Sequence, residues 1–415
     1  MTPEQAITLA AQPLEAILSG VAPADLELSR FFRQRGSGPR ERALVGDLVF
    51  AVLRHHRRLA HRLACQAPTP KELLALAWSE QADWDATQLH DPLHASDTLL
   101  FPSPQETPPP VACSLPDWLW HSFVDQWGQE EALALGHALN QSAPTDLRVN
   151  RLRATREQVE ATLARAGVFA TPLPYAPDGL RLTGQPPVTT LEPFHQGLYE
   201  IQDEGSQLIP LLLAPRPGET VVDLCAGSGG KTLQLAALMG NRGCVHATDT
   251  DARRLSRLTP RYRRAGVRII HTRVLRHEGD PVLRPLTGKA DGVLVDAPCS
   301  GTGTLRRRPE VKWRLTAEQI MNFQQRQAAL LSAGARLTRP GGRLVYATCS
   351  LLRQENEAVV DSFQRENPGF RLLPAAASLA RQGVHGLNSA SPFLSLAPHA
   401  AGCDGFFAAL FQRSH

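Results

Sequence analysis

The chain has 415 residues, of which 42% are hydrophobic, and its formal net charge is +4. This length is enough for two or three domains, and without an apolar run of about 18 residues the sequence predicts no membrane span and no membrane partner. Seven cysteines without a CxxC pair argue against a disulfide framework or a zinc site, so we expect free thiols, no bound metal and a reducing, cytoplasmic location. The first ten residues carry one acid and no base, which disfavours a secretory signal.

Residues 1–100 predict an all-α domain. The segment 27–64 has apolar residues at helical spacing, and from residue 33 it carries eight arginines against two acids, Glu41 and Asp47. This balance favours a surface that contacts phosphates over an ordinary solvated helix face. The arginines are Arg33, Arg35, Arg40, Arg42, Arg54, Arg57, Arg58 and Arg62.

The next two segments connect this part to the rest of the chain. Residues 101–116 are rich in proline and predict an extended linker. Residues 117–200 predict a small α/β domain, since 145–168 has the pattern of a strand followed by a helix.

From residue 201 onward, strand and helix patterns alternate. This order predicts a doubly wound parallel α/β sheet. The strands are predicted at 220–226, 244–249, 267–274, 291–297, 343–349 and 405–413.

The segment 221–240 has the pattern of a strand, a glycine-rich turn and a helix, which suits a ligand held close to the backbone. A phosphate-binding loop would need glycine where Cys225 stands, and a dinucleotide fingerprint would need glycine where Thr232 stands. A third interpretation is S-adenosylmethionine, which has no pyrophosphate. Asp223 could hold its ammonium group and Asp249 its ribose hydroxyls, although Asp249 fits NAD equally well.

Two cysteines directly follow predicted strands. Cys299 stands in DAPCSGTG and Cys349 in YATCS. Ligands of parallel sheets bind at the carboxyl edge, so two thiols on that edge favour covalent chemistry. The alternative is that both are small buried residues, as free cysteines often are.

These motifs together resemble the RsmB/Nop2/Sun family of RNA (cytosine-C5) methyltransferases. The paired PCS and TCS cysteines are specific, because DNA cytosine methyltransferases use one cysteine. Residues 41–59 are similar, less specifically, to a NusB-like RNA-binding domain. The segments that carry the main resemblance are YEIQDEGSQL (199–208), DLCAGSGGKT (223–232), DAPCSGTG (296–303), RRRPEVKW (306–313), YATCS (346–350), ENE (355–357) and DGFF (404–407).

The resemblance implies a Rossmann-like S-adenosylmethionine-dependent methyltransferase core at 201–415, preceded by a NusB-like all-α domain at 1–100 and a small α/β linking domain at 117–200. It implies S-adenosyl-L-methionine as the cofactor and RNA, namely 16S rRNA, as the partner of a monomer. Three alternatives stay open: a tRNA cytosine-C5 methyltransferase, a non-catalytic RNA-binding assembly factor with a relict fold, and an NAD-dependent oxidoreductase, which the incomplete glycine fingerprint disfavours.

The resemblance also implies roles for single residues. Cys349 is the nucleophile that adds to cytosine C6, and Asp296 supplies a hydrogen bond at N3. Cys299 promotes release, and Lys231 orients the nucleotide or stabilises charge. The implied cofactor-binding residues are Asp223, Cys225, Ala226, Gly227, Ser228, Gly229, Gly230, Lys231, Asp249 and Asp296.

The chain departs from the family pattern in two places. The family places an aspartate after the third strand, beside the adenine, where this chain has Arg273, Val274 and Leu275, and Asp280 lies too far along. Residues 375–400 also predict a loop insertion rich in alanine and serine.

Two arginine clusters are candidates for substrate contact. Nine arginines stand between 253 and 276, and Arg306, Arg307 and Arg308 follow the PCS loop. A solvated face explains the first cluster equally well, whereas substrate contact is favoured for the second.

Overall fold

The computed structural model describes residues 1–20, 22–65, 67–81 and 107–415. These residues form two compact units. One, the helical unit, comprises 1–142 and 304–315; the other, the sheet unit, comprises 143–303 and 316–415. The predicted core region 201–415 is therefore interrupted by a segment that belongs to the helical unit. Among the described helices, none is both long and apolar enough to cross a membrane.

The helical unit is built around the apolar faces of its first four helices. Thr2 and Gln5 form a capping box that begins α1, and Gly36 ends α2 in the left-handed conformation. Leu14, Val49 and Leu73 are fully buried in the shared core. The helices are α1 (Pro3–Leu18), α2 (Ala24–Arg35), α3 (Pro39–Arg62), α4 (Pro70–Gln81), α5 (Pro109–Ala112), α6 (Asp117–Trp127) and α7 (Gln129–Leu139).

The described part of the predicted linker is not extended. Residues 101–106 lie outside the described residues, but Pro109–Ala112 form α5, and Val111, Cys113 and Leu115 are buried. Proline is compatible with the first turn of a helix, because the amide hydrogen it lacks has no helical partner there. The prolines of this segment therefore begin a helix that packs into the helical unit.

The segment 304–315 is held in the helical unit by a buried lysine. It contains a short 3-10 helix, Pro309–Trp313, and the side chain of Lys312 is inaccessible to solvent. Lys312 Nζ donates to the carbonyl oxygen of Arg54 and to Oδ1 of Asn140, both at 2.7 Å. Burial lowers the pKa of Lys312 to about 7, and the charge of Arg54 adds to the decrease.

The sheet unit begins with a small antiparallel sheet in the order β2-β3-β1-β4. The predicted strand and helix of 145–168 are present as β1 and α8. Leu147, Leu163 and Tyr199 lie in the core between this sheet and its helices. The elements are β1 (Asp146–Val149), α8 (Arg156–Arg165), β2 (Ala170–Pro172), β3 (Gly179–Leu182), α9 (Glu192–His195) and β4 (Tyr199–Ile201).

An eight-stranded sheet forms the rest of the sheet unit. Its order is β10-β12-β9-β8-β5-β6-β7, with β11 also paired to β12. The five strands from β7 to β9 run parallel, and β12 is antiparallel to β9. The strands are β5 (Thr220–Asp223), β6 (Cys244–Asp249), β7 (Ile270–Val274), β8 (Ala290–Asp296), β9 (Thr338–Thr348), β10 (Phe370–Leu373), β11 (Leu394–Leu396) and β12 (Phe406–Arg413).

Apolar clusters cover both faces of this sheet, as a parallel sheet requires. Residues 375–400 are only partly the predicted loop: Ala375–Ala380 form α16 and Leu394–Leu396 pair with β12 as β11, whereas 381–393 form no helix or strand. The helices are α10 (Glu204–Leu213), α11 (Gly230–Leu238), α12 (Ala252–Ser256), α13 (Leu258–Ala265), α14 (Ala317–Leu337), α15 (Glu357–Glu366), α16 (Ala375–Ala380) and α17 (Pro398–Ala401).

The strand order places a ligand site at one edge of the large sheet. The chain runs outward from β5 through β6 to β7, and then returns to β8 on the other side of β5. Ligands of open α/β sheets bind at the carboxyl ends of strands where the order reverses. Asp223 and Asp296 end the two strands at this point, and Cys299 and Cys349 follow β8 and β9.

Candidate active site at the carboxyl edge of the sheet

The glycine-rich turn after β5 has a conformation that needs glycine. Gly227 and Gly229 have φ angles of 55° and 83°. A Cβ atom on Gly227 would lie 2.6 Å from the Arg254 guanidinium, and one on Gly229 would lie 2.1 Å from Leu258. Glycine therefore allows the turn to adopt these angles and to pack closely against Arg254 and Leu258. Because these glycines have no side chain, the backbone of the turn can also approach a ligand closely.

Asp249 holds this turn against the end of β6. Its Oδ2 accepts a hydrogen bond from the Gly227 amide and its Oδ1 accepts one from the Asp251 amide, both at 2.8 Å. Each carboxylate oxygen can accept a second hydrogen bond, so Asp249 can also bind hydroxyl groups of a ligand. The side chain that the sequence assigned to the ribose thus also shapes the turn.

Asp223 is a buried carboxyl group with one oxygen unpaired. Its Oδ2 accepts from the Thr232 hydroxyl at 2.6 Å, and its Oδ1 has no hydrogen-bond partner. Burial raises the pKa of Asp223 to about 7, and the charge of Asp296 adds to the rise, against the Thr232 hydrogen bond, which lowers it. A cationic donor placed at Oδ1 would satisfy this atom. Thr232 stands where a dinucleotide fingerprint would have glycine, and its hydroxyl makes it part of the site.

Cys225 is a structural thiol. Its side chain packs against the apolar cluster on one face of the sheet. Burial raises the pKa of Cys225 well above its ordinary value, and the negative charge of Asp223 raises it further. This thiol is not activated as a nucleophile.

Lys231 and Asp296 form an ion pair at the carboxyl ends of β5 and β8. Lys231 Nζ lies 2.7 Å from Asp296 Oδ2 and 5.2 Å from the centre of the Phe406 ring. Burial alone would lower the pKa of Lys231, but the charge and hydrogen bond of Asp296, together with the charge of Cys349, raise it above its ordinary value. The site therefore contains an ammonium group that stays charged.

The two cysteines of the PCS and TCS motifs face each other. Their Sγ atoms are 3.4 Å apart. The hydrogen bond with Cys349 raises the pKa of Cys299 well above its ordinary value, and burial adds to this rise. Both effects favour the protonated form of Cys299. A backbone hydrogen bond also links the loops that carry the two cysteines: the Gly303 amide donates to the Cys349 carbonyl oxygen at 2.9 Å.

Comparison with known proteins identifies the family. Residues 210–412 match the family described as 16S rRNA methyltransferase RsmB/F, and residues 115–189 match the ferredoxin-like domain of RsmF/B-like methyltransferases. Over 91% of its length the chain is 34% identical to ribosomal RNA small subunit methyltransferase B of Xanthomonas campestris, covering 90% of that protein. The chain belongs to the RsmB/F methyltransferase family.

Further relatives agree with this assignment. A probable ribosomal RNA small subunit methyltransferase B of Synechocystis is 37% identical over 72% of this chain and 67% of that protein. The crystal structure of PH0851 superposes with a TM-score of 0.79 at 26% identity, covering 100% of this chain and 99% of that one. A methyltransferase homologue from Pyrococcus horikoshii superposes with a TM-score of 0.63 at 30% identity, covering 75% and 99% of the two chains.

The cofactor of this RsmB/F methyltransferase is S-adenosyl-L-methionine. The residues at the edge of the sheet fit it on three counts. The glycine turn admits a ligand, the unpaired Oδ1 of Asp223 suits a cationic donor, and Asp249 retains acceptor capacity for hydroxyl groups.

The structure has no aspartate at the end of the third parallel strand, β7, where the family places one beside the adenine. β7 ends at Val274, which is exposed, and Leu275 turns into the core. Asp280 accepts hydrogen bonds from the Arg276 side chain and from two backbone amides, so it stabilises its own turn. These bonds, the one from Arg276 first, hold the pKa of Asp280 well below its usual range.

The arginine clusters are only partly available for contacts with a substrate. Arg261 and Arg264 both pair with the buried Glu200, and Arg261 also donates to the Ser228 carbonyl oxygen of the glycine turn. In the second cluster Arg306 is buried, and Arg308 lies 3.6 Å from Glu310. The sequence pattern could not separate Arg261 and Arg264 from exposed arginines, because their partner Glu200 is more than 60 residues away in the chain.

The predicted phosphate-facing surface of α3 is likewise used inside the helical unit. Arg58 and Arg62 both pair with Glu80, and Arg57 pairs with Asp117. Arg54 lies over the Phe50 ring. Most of the arginines in the second half of this helix therefore stabilise the unit itself.

Proposed function

We propose that this chain transfers a methyl group from S-adenosyl-L-methionine to C5 of a cytosine in ribosomal RNA, specifically 16S rRNA, through a covalent bond between Cys349 Sγ and C6. One observation carries the proposal: two thiols lie 3.4 Å apart at the ligand-binding edge of the sheet, beside the Lys231–Asp296 pair. This arrangement provides a nucleophile, a second sulfur and a charged pair within one site. The cofactor supplies the methyl group.

The first step is addition of the Cys349 thiolate to C6, which makes C5 nucleophilic. We assign the positive charge of Lys231, paired with Asp296, to the same step. Addition also makes N3 more basic, and Asp296 is the group that we place beside N3. Lys231, whose Nζ lies 2.7 Å from Asp296 Oδ2, provides a positive charge next to that carboxyl group.

The second step removes the proton from C5 and breaks the bond between C6 and sulfur. Before addition, the hydrogen bond with Cys349 and burial favour the protonated form of Cys299. Once the Cys349 sulfur is bonded to C6, its charge and hydrogen bond no longer oppose ionisation of Cys299, which then gives its proton to solvent. The Cys299 thiolate takes the proton from C5, and the electron pair of the breaking bond between C6 and sulfur returns to Cys349.

Two aspartates and the glycine turn bind the cofactor in this proposal. Asp223 Oδ1 receives the ammonium group, because it is a buried acceptor without a partner. Asp249 receives the ribose hydroxyls on the oxygens that already hold the turn. Cys225, Ala226, Ser228 and Gly230 contribute through the shape of the turn.

We further propose that residues 1–100 are a NusB-like RNA-binding domain and that the protein acts as a cytoplasmic monomer. The capped helices and apolar core of the helical unit support a folded domain in the described part of this region. The boundaries 101–116 and 117–200 stay predictions. The two active-site thiols require surroundings in which cysteines remain reduced.

The direct test is methyl transfer from labelled S-adenosylmethionine to unmodified 16S rRNA, followed by nucleoside analysis. The wild-type protein should form 5-methylcytidine, and Cys349→Ala should form none. Cys65→Ala, which removes an exposed thiol of the helical unit, is the matched control and should match the wild type. Methylation of tRNA alone would refute the proposed substrate, and activity in Cys349→Ala would refute the mechanism.

A further inference from the structure

A single carboxylate lies behind both cysteine loops. Glu355, in the turn between β9 and α15, is inaccessible to solvent. Its Oε2 accepts hydrogen bonds from the hydroxyls of Ser300 and Ser350, both at 2.5 Å. Ser300 directly follows Cys299, and Ser350 directly follows Cys349. One side chain therefore holds the residue next to each thiol.

The other oxygen of this carboxylate fixes the first loop further. Glu355 Oε1 accepts from the Ser300 amide and from Gln327 Nε2, both at 2.9 Å. Gln327, on α14, also donates to the Pro298 carbonyl oxygen at 3.0 Å. Four donors thus converge on one carboxylate, which is the acceptor capacity of the ionised group.

The serine hydroxyls beside Glu355 belong to a wider network of hydroxyl groups. For both serines the carboxylate is the nearest acceptor, at 2.5 Å, and the Ser300 hydroxyl also lies 3.2 Å from the Ser350 hydroxyl and 3.4 Å from the Thr302 hydroxyl. The Ser350 oxygen in turn lies 3.2 Å from the Thr302 hydroxyl and accepts from the Leu352 amide at 3.1 Å. Displacing either loop would leave a buried donor or acceptor unpaired, which buried networks tolerate poorly.

Glu355 itself is anchored to β9. The Tyr346 hydroxyl donates to the Glu355 carbonyl oxygen at 2.5 Å. The next residue, Asn356, donates to the Ser350 carbonyl oxygen at 2.9 Å and accepts from the Thr348 hydroxyl at 2.6 Å. The carboxylate is thus a fixed point to which the two loops are attached.

We propose that Glu355 is a positioning residue that sets the separation of the two sulfurs, with Ser350 serving the addition step through Cys349 and Ser300 serving the release step through Cys299. Ser300, Ser350 and Glu355 are all buried, so they act through the cysteine loops. This inference rests on the proposed function. It adds that the two steps can be impaired separately by removing one hydroxyl at a time.

The charge of Glu355 supports the same assignment. After the hydrogen bond with Cys349, burial and the charge of Cys349, the charge of Glu355 also raises the pKa of Cys299. The carboxylate that orients the loops therefore also favours the protonated form of the release cysteine before addition.

The test compares Ser300→Ala and Ser350→Ala in the full-length protein with unmodified 16S rRNA and S-adenosylmethionine. Covalent protein–RNA adduct is measured on a denaturing gel, and methyl transfer is measured in single and multiple turnovers. Ser300→Ala should transfer the first methyl group at nearly the wild-type rate but accumulate adduct, with multiple-turnover kcat reduced by about tenfold to 100-fold. Ser350→Ala should slow the first transfer by a similar factor without accumulating adduct.

The matched control is Ser378→Ala. Ser378 is also a buried serine, but it donates to the Pro374 carbonyl oxygen on α16, away from the cysteine loops. It should behave as the wild type in every assay. Glu355→Gln replaces one carboxylate oxygen with an NH2 group, which cannot accept the hydrogen bonds that this oxygen receives. This variant should impair both steps.

Loss of activity in Glu355→Gln would not by itself show that the sulfurs have moved. A second measurement therefore uses neither RNA nor cofactor. Phenylarsine oxide, which bridges two neighbouring thiols, should bind the wild type in a Cys349-dependent manner. It should bind Glu355→Gln about tenfold more weakly, because the buried donors released from the carboxylate rearrange the loops. Equal affinity in the two proteins would show that Glu355 does not set the sulfur separation.

The outcomes separate the two proposals. If the wild type forms 5-methylcytidine but the two serine variants have the same kinetic profile as each other, the positioning inference is wrong and the proposed function stands. If the wild type forms no 5-methylcytidine and Cys299→Ala forms no adduct, the proposed function is wrong, and the step-specific roles of the serines fall with it.

Discussion

Burial controls the protonation of the individual residues at the sheet edge. Asp223 is a buried acid whose pKa is raised by desolvation, and Cys299 is a buried thiol whose pKa is raised by its partner and by burial. Lys231 is buried as well, yet its contact with Asp296 keeps it charged. The site therefore contains one permanent cation, one acid that titrates near neutrality and one thiol whose protonated form is favoured.

Asp223 predicts a pH dependence of cofactor binding. Because its pKa is about 7 in the folded protein, a cationic ligand at Oδ1 must displace a proton at lower pH. Affinity for S-adenosylmethionine should therefore rise by up to about tenfold per pH unit as the pH approaches about 7 from below, and level off above it. Calorimetry between about pH 5.5 and about pH 7.5 measures this. Asp223→Asn should bind weakly with a flat profile, and a flat wild-type profile would contradict the assignment.

At the scale of elements, the parallel strands could be predicted because each is a short apolar run that ends in a glycine or a polar residue. The predicted strands at 244–249 and 291–297 correspond closely to β6 and β8. β10 and β11 were missed because they are three or four residues long and depend on pairing with β12. Local patterns contain no information about such distant pairing.

The candidate site, like the fold, could be predicted only in part from the sequence. The position of Cys299 and Cys349 after strands placed both at one edge, and their sulfurs are in contact there. The partners that hold the loops were not predictable: Ser300 and Glu355 are 55 residues apart in the chain. The docking of 304–315 in the helical unit was missed for the same reason, since its charged residues resemble an exposed loop.

Lys312 predicts how that segment contributes to stability. Above about pH 7 the buried amine is neutral, and its two remaining donors match the two acceptors it contacts. The unfolded lysine keeps its proton up to about pH 10, so the unfolded state binds one more proton in this window. The free energy of unfolding should therefore rise by up to about 1.4 kcal/mol per pH unit between about pH 7 and about pH 9, relative to Lys312→Met.

Thermal unfolding of both proteins across this pH range measures the difference. The wild type should gain stability relative to Lys312→Met as the pH increases. A constant difference between the two proteins would mean that Lys312 has the same proton occupancy when folded and unfolded.

At the scale of the whole molecule, a net charge of only +4 conceals a local excess of positive charge. In the described structure, six exposed arginines on α12, α13, β7 and the turns beside them have no carboxylate partner within ion-pairing distance. We call them the exposed arginine group: Arg253, Arg254, Arg257, Arg263, Arg268 and Arg273. Their guanidinium groups are available for RNA phosphates.

Salt dependence tests this surface. Arg257→Gln with Arg263→Gln should weaken RNA binding and reduce the slope of log affinity against log salt by roughly 0.7 for each phosphate that the double variant no longer binds. Arg365→Gln, an exposed arginine on α15, is the control and should leave the slope unchanged. Fluorescence anisotropy with labelled RNA at several salt concentrations measures it. An unchanged slope in the double variant would remove this group from the RNA surface.

The proposed mechanism requires different roles for the two sulfurs. Cys299→Ala keeps the nucleophile and removes the group that assists release, so incubation with RNA and S-adenosylmethionine should leave a protein–RNA adduct that survives a denaturing gel. Cys299→Ala combined with Cys349→Ala should show none. An adduct that persists in the double variant, or none in Cys299→Ala alone, would contradict the mechanism.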